Sequence, residues 1–361
     1  MNKLIEVANK FQLSANAKIV VQHGDGLINN TYAVTCTDNN KYILQLINTN
    51  VFKQPIEVQQ NIELVTQHIK NKIKNSHHNV YQTSLTLILT KKGINYYKDG
   101  ENGYWRIFEF LPNSISYNNY ENQEIAINAG RAYAQFHEHL ADIDVSKIHE
   151  TIPKFHYLPM RVEQFYQSLK SALKERLFAA HELIEWVKNN ELKYIKLFED
   201  IVKNCPIRII HQDTKANNIL FDTNNNAISI IDLDTVMPGY LFVDYGDALR
   251  VAGNTEDENS TEFDKIDFNK AVFESFTKGY FSKAKDFITK AEADTIFYGI
   301  ELLLFEQGIR FLTDYLQNDI YYKTTYPDHN FNRAKNQLTC LQRVIDNSKY
   351  IADYVNNLQN L

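Results

Sequence analysis

Residues 211–220 read HQDTKANNIL, which sets a carboxylate, an ammonium and an amide at Asp213, Lys215 and Asn218 and then turns apolar at once. A second acidic knot, IIDLD, follows shortly afterwards and carries Asp232. Phosphoryl transfer demands that set of parts: a base for the accepting hydroxyl, a cation for the γ-phosphate, and hard oxygen ligands for Mg²⁺. Asp213 suits the base, Lys215 the cation, and Asn218 and Asp232 the metal. The alternative is a solvated loop in which Asp213 and Asn218 merely make turns. The β-type runs IRII, NIL and AISII on either side argue against it. His211 is read as a structural residue that orients the loop through hydrogen bonds, and Asp244 and Asp247 in DYGDALR as caps and braces for it.

The elements that must position these residues are legible in the hydropathy pattern. Residues 19–47 give three short strands, IVVQH, TYAVTCT and KYILQLI, separated by the turn signals GDG and DNN, hence an antiparallel meander. Residues 55–70 open with Pro and space Ile56, Ile62, Val65 and Ile69 for one helix face. LTLILTKKG and YWRIFEFLP read as two further strands joined by a hairpin around KDGENG. A first lobe of five strands and one main helix, residues 1–111, is therefore expected. Residues 112–361 turn helical, with one apolar stripe through Ile125, Ala129, Ala132, Tyr133, Phe136 and Leu140 and further helices over about 160–203, 263–316 and 331–357. Two lobes also suit a chain of 361 residues.

Within the first lobe, GDGLINNTY lies between two strands. Gly24 and Gly26 allow a backbone to approach phosphates, and Asn30 and Thr31, with Asn29, offer side-chain contacts to a nucleotide; a plain hairpin turn is the alternative. Near the other end of the chain, EQGIRFLTDYLQNDIYYK is dense in polar groups for an acceptor. Arg310 and Asp314 are four apart on one helical face, and Tyr321 follows a turn-like QND. The alternative there is a surface ion pair of little consequence.

Other classes are disfavoured. A net charge of −6 removes any general attraction to nucleic acid or anionic lipid. Cys36, Cys205 and Cys340 are widely separated, which fits neither a disulfide scaffold nor a thiolate zinc site. His137 and His139 are two apart on a helix and face different sides, so a shared metal is not expected. The HExxH and GxSxG patterns of hydrolases are missing. With neither an export signal nor an apolar run long enough to span a bilayer, the expectation is a cytoplasmic monomer that binds no membrane.

The spacing HxDxKxxN followed by an apolar hairpin and ID resembles the catalytic loop of the protein-kinase-like superfamily. Over a longer span, HQDTKANNILFD, IIDLDTVMPG, DYGDALR, RFLTDYLQNDIYYK and the early GDGLINNTY and YILQLINTNVFKQP resemble the N-acetylhexosamine 1-kinase group of the aminoglycoside-phosphotransferase-like kinases. The resemblance implies an α+β, protein-kinase-like bilobal fold: a small antiparallel-sheet N-lobe that binds nucleotide and a larger helical C-lobe that holds the acceptor. It implies ATP as co-substrate, Mg²⁺ as cofactor and a sugar acceptor, the anomeric hydroxyl of N-acetylglucosamine or N-acetylgalactosamine. Adenine is then expected near Glu109 and Leu111, and the sugar near Asp213, Arg310, Asp314 and Tyr321. Two positions depart from the pattern: Asn29 stands in the place of the third glycine of the protein-kinase loop, and, more consequentially, Gln45 stands where the third strand should present a Lys to the phosphates. The latter departure keeps open a nucleotide-binding regulator without turnover, beside kinases of other acceptors such as aminoglycosides, choline or homoserine.

Overall fold

The computed structural model describes residues 3–24, 28–74, 83–100 and 103–359. The chain divides into two compact units interleaved in sequence: Met1–Ser116 with His139–Pro153 and Ile219–Pro238, and Tyr117–Glu138 with Lys154–Asn218 and Gly239–Leu361. Among the described residues no helix is long and apolar enough to cross a membrane.

The first unit is built on a sheet. After helix α1 (Lys3–Ala8), strands β1 (Ala17–Gln22), β2 (Asn30–Cys36) and β3 (Lys41–Ile47) pair antiparallel in sequence order, as their alternation predicts. Helix α2 (Pro55–Lys74) follows, then β4 (Leu87–Ile88), β5 (Tyr97–Asp99) and β6 (Gly103–Glu109), with β6 beside β3 and both β4 and β5 paired to β6. Among the described residues the sheet thus has six strands where five were expected. The chain bends soon after β4, where Gly93 takes φ +76 and donates its N–H to Thr90 O at 2.8 Å. It returns through β5, so β5 rather than β4 forms the hairpin with β6.

Inward-facing Val34, Leu44 and Ile107, on adjacent strands, pack with Val7 and Phe11 to make this unit's core. α2 buries Val58, Ile62, Val65 and Ile69, a run of steps of four, three and four residues. Ile56 is 39% exposed, because two residues before Val58 lie about 200° round the helix. The strands Ile219–Phe221 and Ala227–Ile230 form the expected hairpin, its turn tied by Asp222, whose Oδ1 accepts from Asn224 N–H and Asn226 N–H.

The second unit is helical: α3 (Gln123–Leu140, as far as Glu138), α4 (Leu158–Ser171), α5 (Lys174–Ala179), α6 (His181–Asn204), α7 (Leu241–Ala252), α8 (Lys270–Ala284), α9 (Lys290–Thr295), α10 (Tyr298–Leu316), α11 (His329–Asp346) and α12 (Ser348–Gln359). The helical stretch expected at 263–316 is three helices, the first two of which begin at side-chain caps. Asn269 accepts from Val272 N–H at the start of α8, and Thr289 forms a capping box with Glu292 at the start of α9. α10 is the core helix; every residue on it except Tyr298, Gln307 and Arg310 is buried. It packs on α7 at two glycines, where a Cβ on Gly246 would lie 2.3 Å from Gly299 O.

Candidate active site

The strand Arg208–Ile210 delivers the loop that begins at His211. His211 and Gln212 donate their backbone N–H groups to the two oxygens of Asp244, each at 2.7 Å, and Thr214 N–H donates to Asp247 Oδ2 at 2.9 Å. These bonds hold Gln212 at φ +65, a left-handed conformation that a non-glycine residue keeps only under outside constraint. His211 is fully buried, and its Nδ1 accepts from Asp213 N–H at 3.3 Å. The expected bracing by Asp244, Asp247 and His211 is thus explicit in the geometry.

A further brace carried no sequence signal. His137 Nε2 lies 2.7 Å from Asp244 Oδ2 and its Nδ1 lies 3.0 Å from Tyr280 OH, so the imidazole supports the carboxylate that grips the loop. Behind it, burial pushes the Asp247 carboxyl up, but the Arg250 guanidinium at 3.0 Å, with His156 and Lys215, outweighs burial and holds Asp247 below its ordinary value.

The loop brings Asp213, Lys215 and Asn218 together. Lys215 Nζ is 3.1 Å from Asp213 Oδ1, and Asn218 Nδ2 donates to Asp213 O at 2.8 Å and to Asp213 Oδ2 at 3.2 Å. Tyr133 OH donates to Lys215 O, which ties the middle of the loop to α3. The Asp213 carboxylate is thereby fixed, yet its side chain keeps 21% exposure. With its NH₂ committed to Asp213, Asn218 is left with its amide oxygen as the group for a cation.

In the first unit, Asp232 is exposed and sits at φ +58, ψ +56, directly before the 3₁₀ turn Leu233–Thr235. Asp234 in that turn is buried and makes a two-pronged ion pair with Arg106, whose Nη2 lies 2.7 Å from Asp234 Oδ2 and whose Nη1 reaches Oδ1. The amide oxygen of Asn218 and the carboxylate of Asp232 are both hard donors of the kind Mg²⁺ takes. The described residues contain no group of three or more His, Cys, Asp or Glu able to cage a metal. Each of these two donors by itself offers an oxygen of the kind an ion takes when phosphate oxygens and water complete its shell.

Gln45 pairs with Arg106 across β3 and β6, accepts from Arg106 Nε at 2.9 Å and donates to Thr31 Oγ1 at 3.0 Å. Glu63, on α2, takes no part in this arrangement and accepts from Asn95 and Gln67. Gly24 takes φ +68 with open space around it, whereas Gly26 lies outside the described residues. Asn30 opens β2 with its side chain exposed, and Asn29 is buried between Asp234 and the Asn48 N–H. Glu109 N–H donates to Thr86 O, and Leu111 O accepts from Ser114 Oγ.

At the other end of α10, Arg310 and Asp314 do not pair. Asp314 is 2% exposed and accepts from Tyr321 N–H, Tyr322 N–H and Asn330 Nδ2 at 2.8–2.9 Å, which folds the segment after α10 back on the helix. Arg310 donates to Gln307 Oε1 and stacks over Phe155 and Tyr322. Tyr321 is 63% exposed.

Three residues that carry no motif gather beside Arg310. His156 Nδ1 is 3.0 Å from Glu306 Oε1, and its Nε2 is 3.3 Å from Gln212 O, one residue from Asp213. Arg161 Nε and Arg310 Nη1 each lie 3.8 Å from Glu306 Oε1. Burial pushes the Glu306 carboxyl up, but His156, Arg310 and Arg161 outweigh it and hold Glu306 below its ordinary value. Arg161 is correspondingly weakened, first by burial and then by the charge of Arg310.

Several solved structures share this fold at low identity. The microcompartment-associated aminopropanol kinase aligns at TM-score 0.64 and 14% identity over 97% of this chain and 98% of its own. The aminoglycoside phosphotransferase from Alicyclobacillus acidocaldarius aligns at 0.60 and 14% over 98% and 95%. An amicoumacin kinase, hAmiN, solved in complex with AMP-PNP, Ca²⁺ and Ami aligns at 0.59 and 14% over 94% and 93%. A family model matches residues 19–267, from β1 through the Asp213 loop and the Asp232 turn to the segment beyond α7, and on that match the chain belongs to the phosphotransferase enzyme family.

Proposed function

We propose that this phosphotransferase is an ATP- and Mg²⁺-dependent N-acetylhexosamine 1-kinase. In this reading Asp213 orients the anomeric hydroxyl and takes its proton as the oxygen attacks the γ-phosphorus and ADP departs. The anomeric hydroxyl is more acidic than other sugar hydroxyls, which suits a carboxylate base. Lys215 steadies the transferring group; Asn218 and Asp232 are the residues that would hold Mg²⁺, and the ion would offset the phosphate charge. Gly24, Asn30 and Thr31 face the phosphates, with Gln45 behind Thr31. Glu109 and Leu111 take the base through their backbone. Arg310 and Tyr321 bond the sugar, and Asp314 holds the segment that carries Tyr321.

The observation that carries this choice of acceptor is the charge beside Arg310. Two guanidiniums and an imidazole surround the single carboxylate of Glu306, one residue by hydrogen bond from the Asp213 loop. A polyamine or quaternary ammonium acceptor would need an acidic pocket, whereas neutral sugar hydroxyls and an acetamido oxygen suit guanidinium donors.

The test is ADP release from Mg·ATP with N-acetylglucosamine, N-acetylgalactosamine, an aminoglycoside, choline and homoserine, with phosphorus NMR to place the phosphate on the sugar. Turnover confined to the N-acetylhexosamines, giving the 1-phosphate, is expected. Turnover confined to a cationic acceptor would sink the assignment, and nucleotide binding with no turnover on any acceptor would favour a regulator. Because Arg310 is largely buried, Arg310→Lys is a better probe than Arg310→Ala. It keeps the charge, loses the planar fork, and should raise KM for the sugar with KM for ATP unchanged.

A further inference from the structure

Asp232 occupies a conformation that few residues other than glycine adopt, and it persists only where the surroundings over-determine it. The turn that follows it is itself firmly held. Asp234 is gripped by both terminal nitrogens of Arg106 and by Asn29 Nδ2 at 2.5 Å, and its backbone oxygen accepts from Thr151. Asn61 donates to Val236 O at 3.1 Å. Arg106 is fixed in turn by Gln45 through Nε and by Gln59 through Nη1, so its guanidinium is bonded on every nitrogen. Arg106 and Asp234 are only 1% and 3% exposed.

We infer that Arg106 is a positioning residue for Asp232, acting through Asp234. The cation missing from Gln45 is present one strand away, directly across the β3–β6 pairing. From there it locks the acidic turn through an aspartate two residues beyond Asp232. Gln45 fits this arrangement better than a Lys would: its amide oxygen accepts the Arg106 Nε–H, where an ammonium would repel the guanidinium. The inference rests on Asp232 being a metal ligand.

The experiment measures Mn²⁺ binding in the presence of ADP, from the electron paramagnetic resonance signal of free Mn²⁺, and metal-free ADP binding by calorimetry. Removing only one partner would strand a buried charge and unfold the turn, so the main variant replaces both, R106M with D234L, which leaves an apolar pair of similar bulk. Partners that orient a ligand typically contribute 10–100-fold to metal affinity, so the double variant should lose roughly that factor for Mn²⁺. It should bind ADP alone as the wild type does and melt in one cooperative transition, below the wild-type temperature because Asn29, Gln45 and Gln59 lose their partners. R106K, which keeps the charge but not the fork, should fall between the two. A folded double variant that binds Mn²⁺ like the wild type, while D232N loses it, overturns the positioning role alone. If D232N itself binds Mn²⁺ normally, the metal role of Asp232 fails and the inference with it. If the double variant does not fold, R106K decides: unchanged Mn²⁺ affinity overturns the role, and a loss without a change in metal-free ADP binding supports it.

Discussion

Replacing Asp244 by Asn changes one carboxylate oxygen into an NH₂ group without opening a cavity, at a place where three donors converge: the N–H groups of His211 and Gln212 and the His137 Nε2, each at 2.7 Å. An amide keeps one acceptor, so at least one bond to a charged oxygen is lost, worth about 1.5–3 kcal/mol, and one buried N–H is left facing another donor at about 1–3 kcal/mol. The sum is on the order of 2.5–6 kcal/mol, a large share of a typical stability of roughly 5–15 kcal/mol. At about 2–4 °C per kcal/mol for a unit of this size, the melting temperature should fall by roughly 5–24 °C. Activity should fall by more than the unfolded fraction explains, because Gln212 loses the bond that holds it left-handed next to Asp213. Thermal melts followed by circular dichroism, with kcat measured well below the transition, read both effects. A melting temperature within about 1 °C of wild type, or a kcat that only tracks the folded fraction, would refute the claim that Asp244 holds the loop.

Asp213→Asn should lower kcat by roughly two to four orders of magnitude with nucleotide affinity nearly intact, the range for a general base; turnover near wild type removes Asp213 from that role. Gly246→Ala should destabilise strongly, because its Cβ would meet backbone of Gly299 at 2.3 Å, and a melting temperature equal to wild type would contradict the close crossing of α7 and α10. Glu306 supplies a pH test. Its folded carboxyl lies below the ordinary 4.5 because His156, Arg310 and Arg161 outweigh burial, so its stabilisation is present above that value and is lost as pH falls through the folded one. The stability gap between wild type and Glu306→Gln should therefore be widest near neutrality and close in acid, and a gap constant from pH 7 to pH 3 would show that the charge of Glu306 is not what its neighbours stabilise.

The chain's local code determined much of this protein. Alternation in KYILQLI and WRIFEF sets strands, apolar spacing sets α2 and α3, and the spacing of Asp213, Lys215 and Asn218 marks a loop that its own backbone can fold into one cluster, since those side chains are only a few residues apart. Asp244 and Asp247 were legible as braces because a helix start next to a loop offers few other uses for paired acids. Tertiary structure alone decided the partners. That Arg106 meets Gln45 depends on the β3–β6 register, and a shift of one residue would have turned Arg106 to the opposite face. Its bond to Asp234 spans 128 positions, and that of His156 to Glu306 spans 150. Those pairings follow from how elements pack, and no periodicity within either segment encodes them. The buried charge beside Arg310, on which the choice of acceptor rests, belongs to the same class: His156, Arg161 and Glu306 read as unremarkable helix and loop positions until packing removes most of their water and sets them against one another and Arg310.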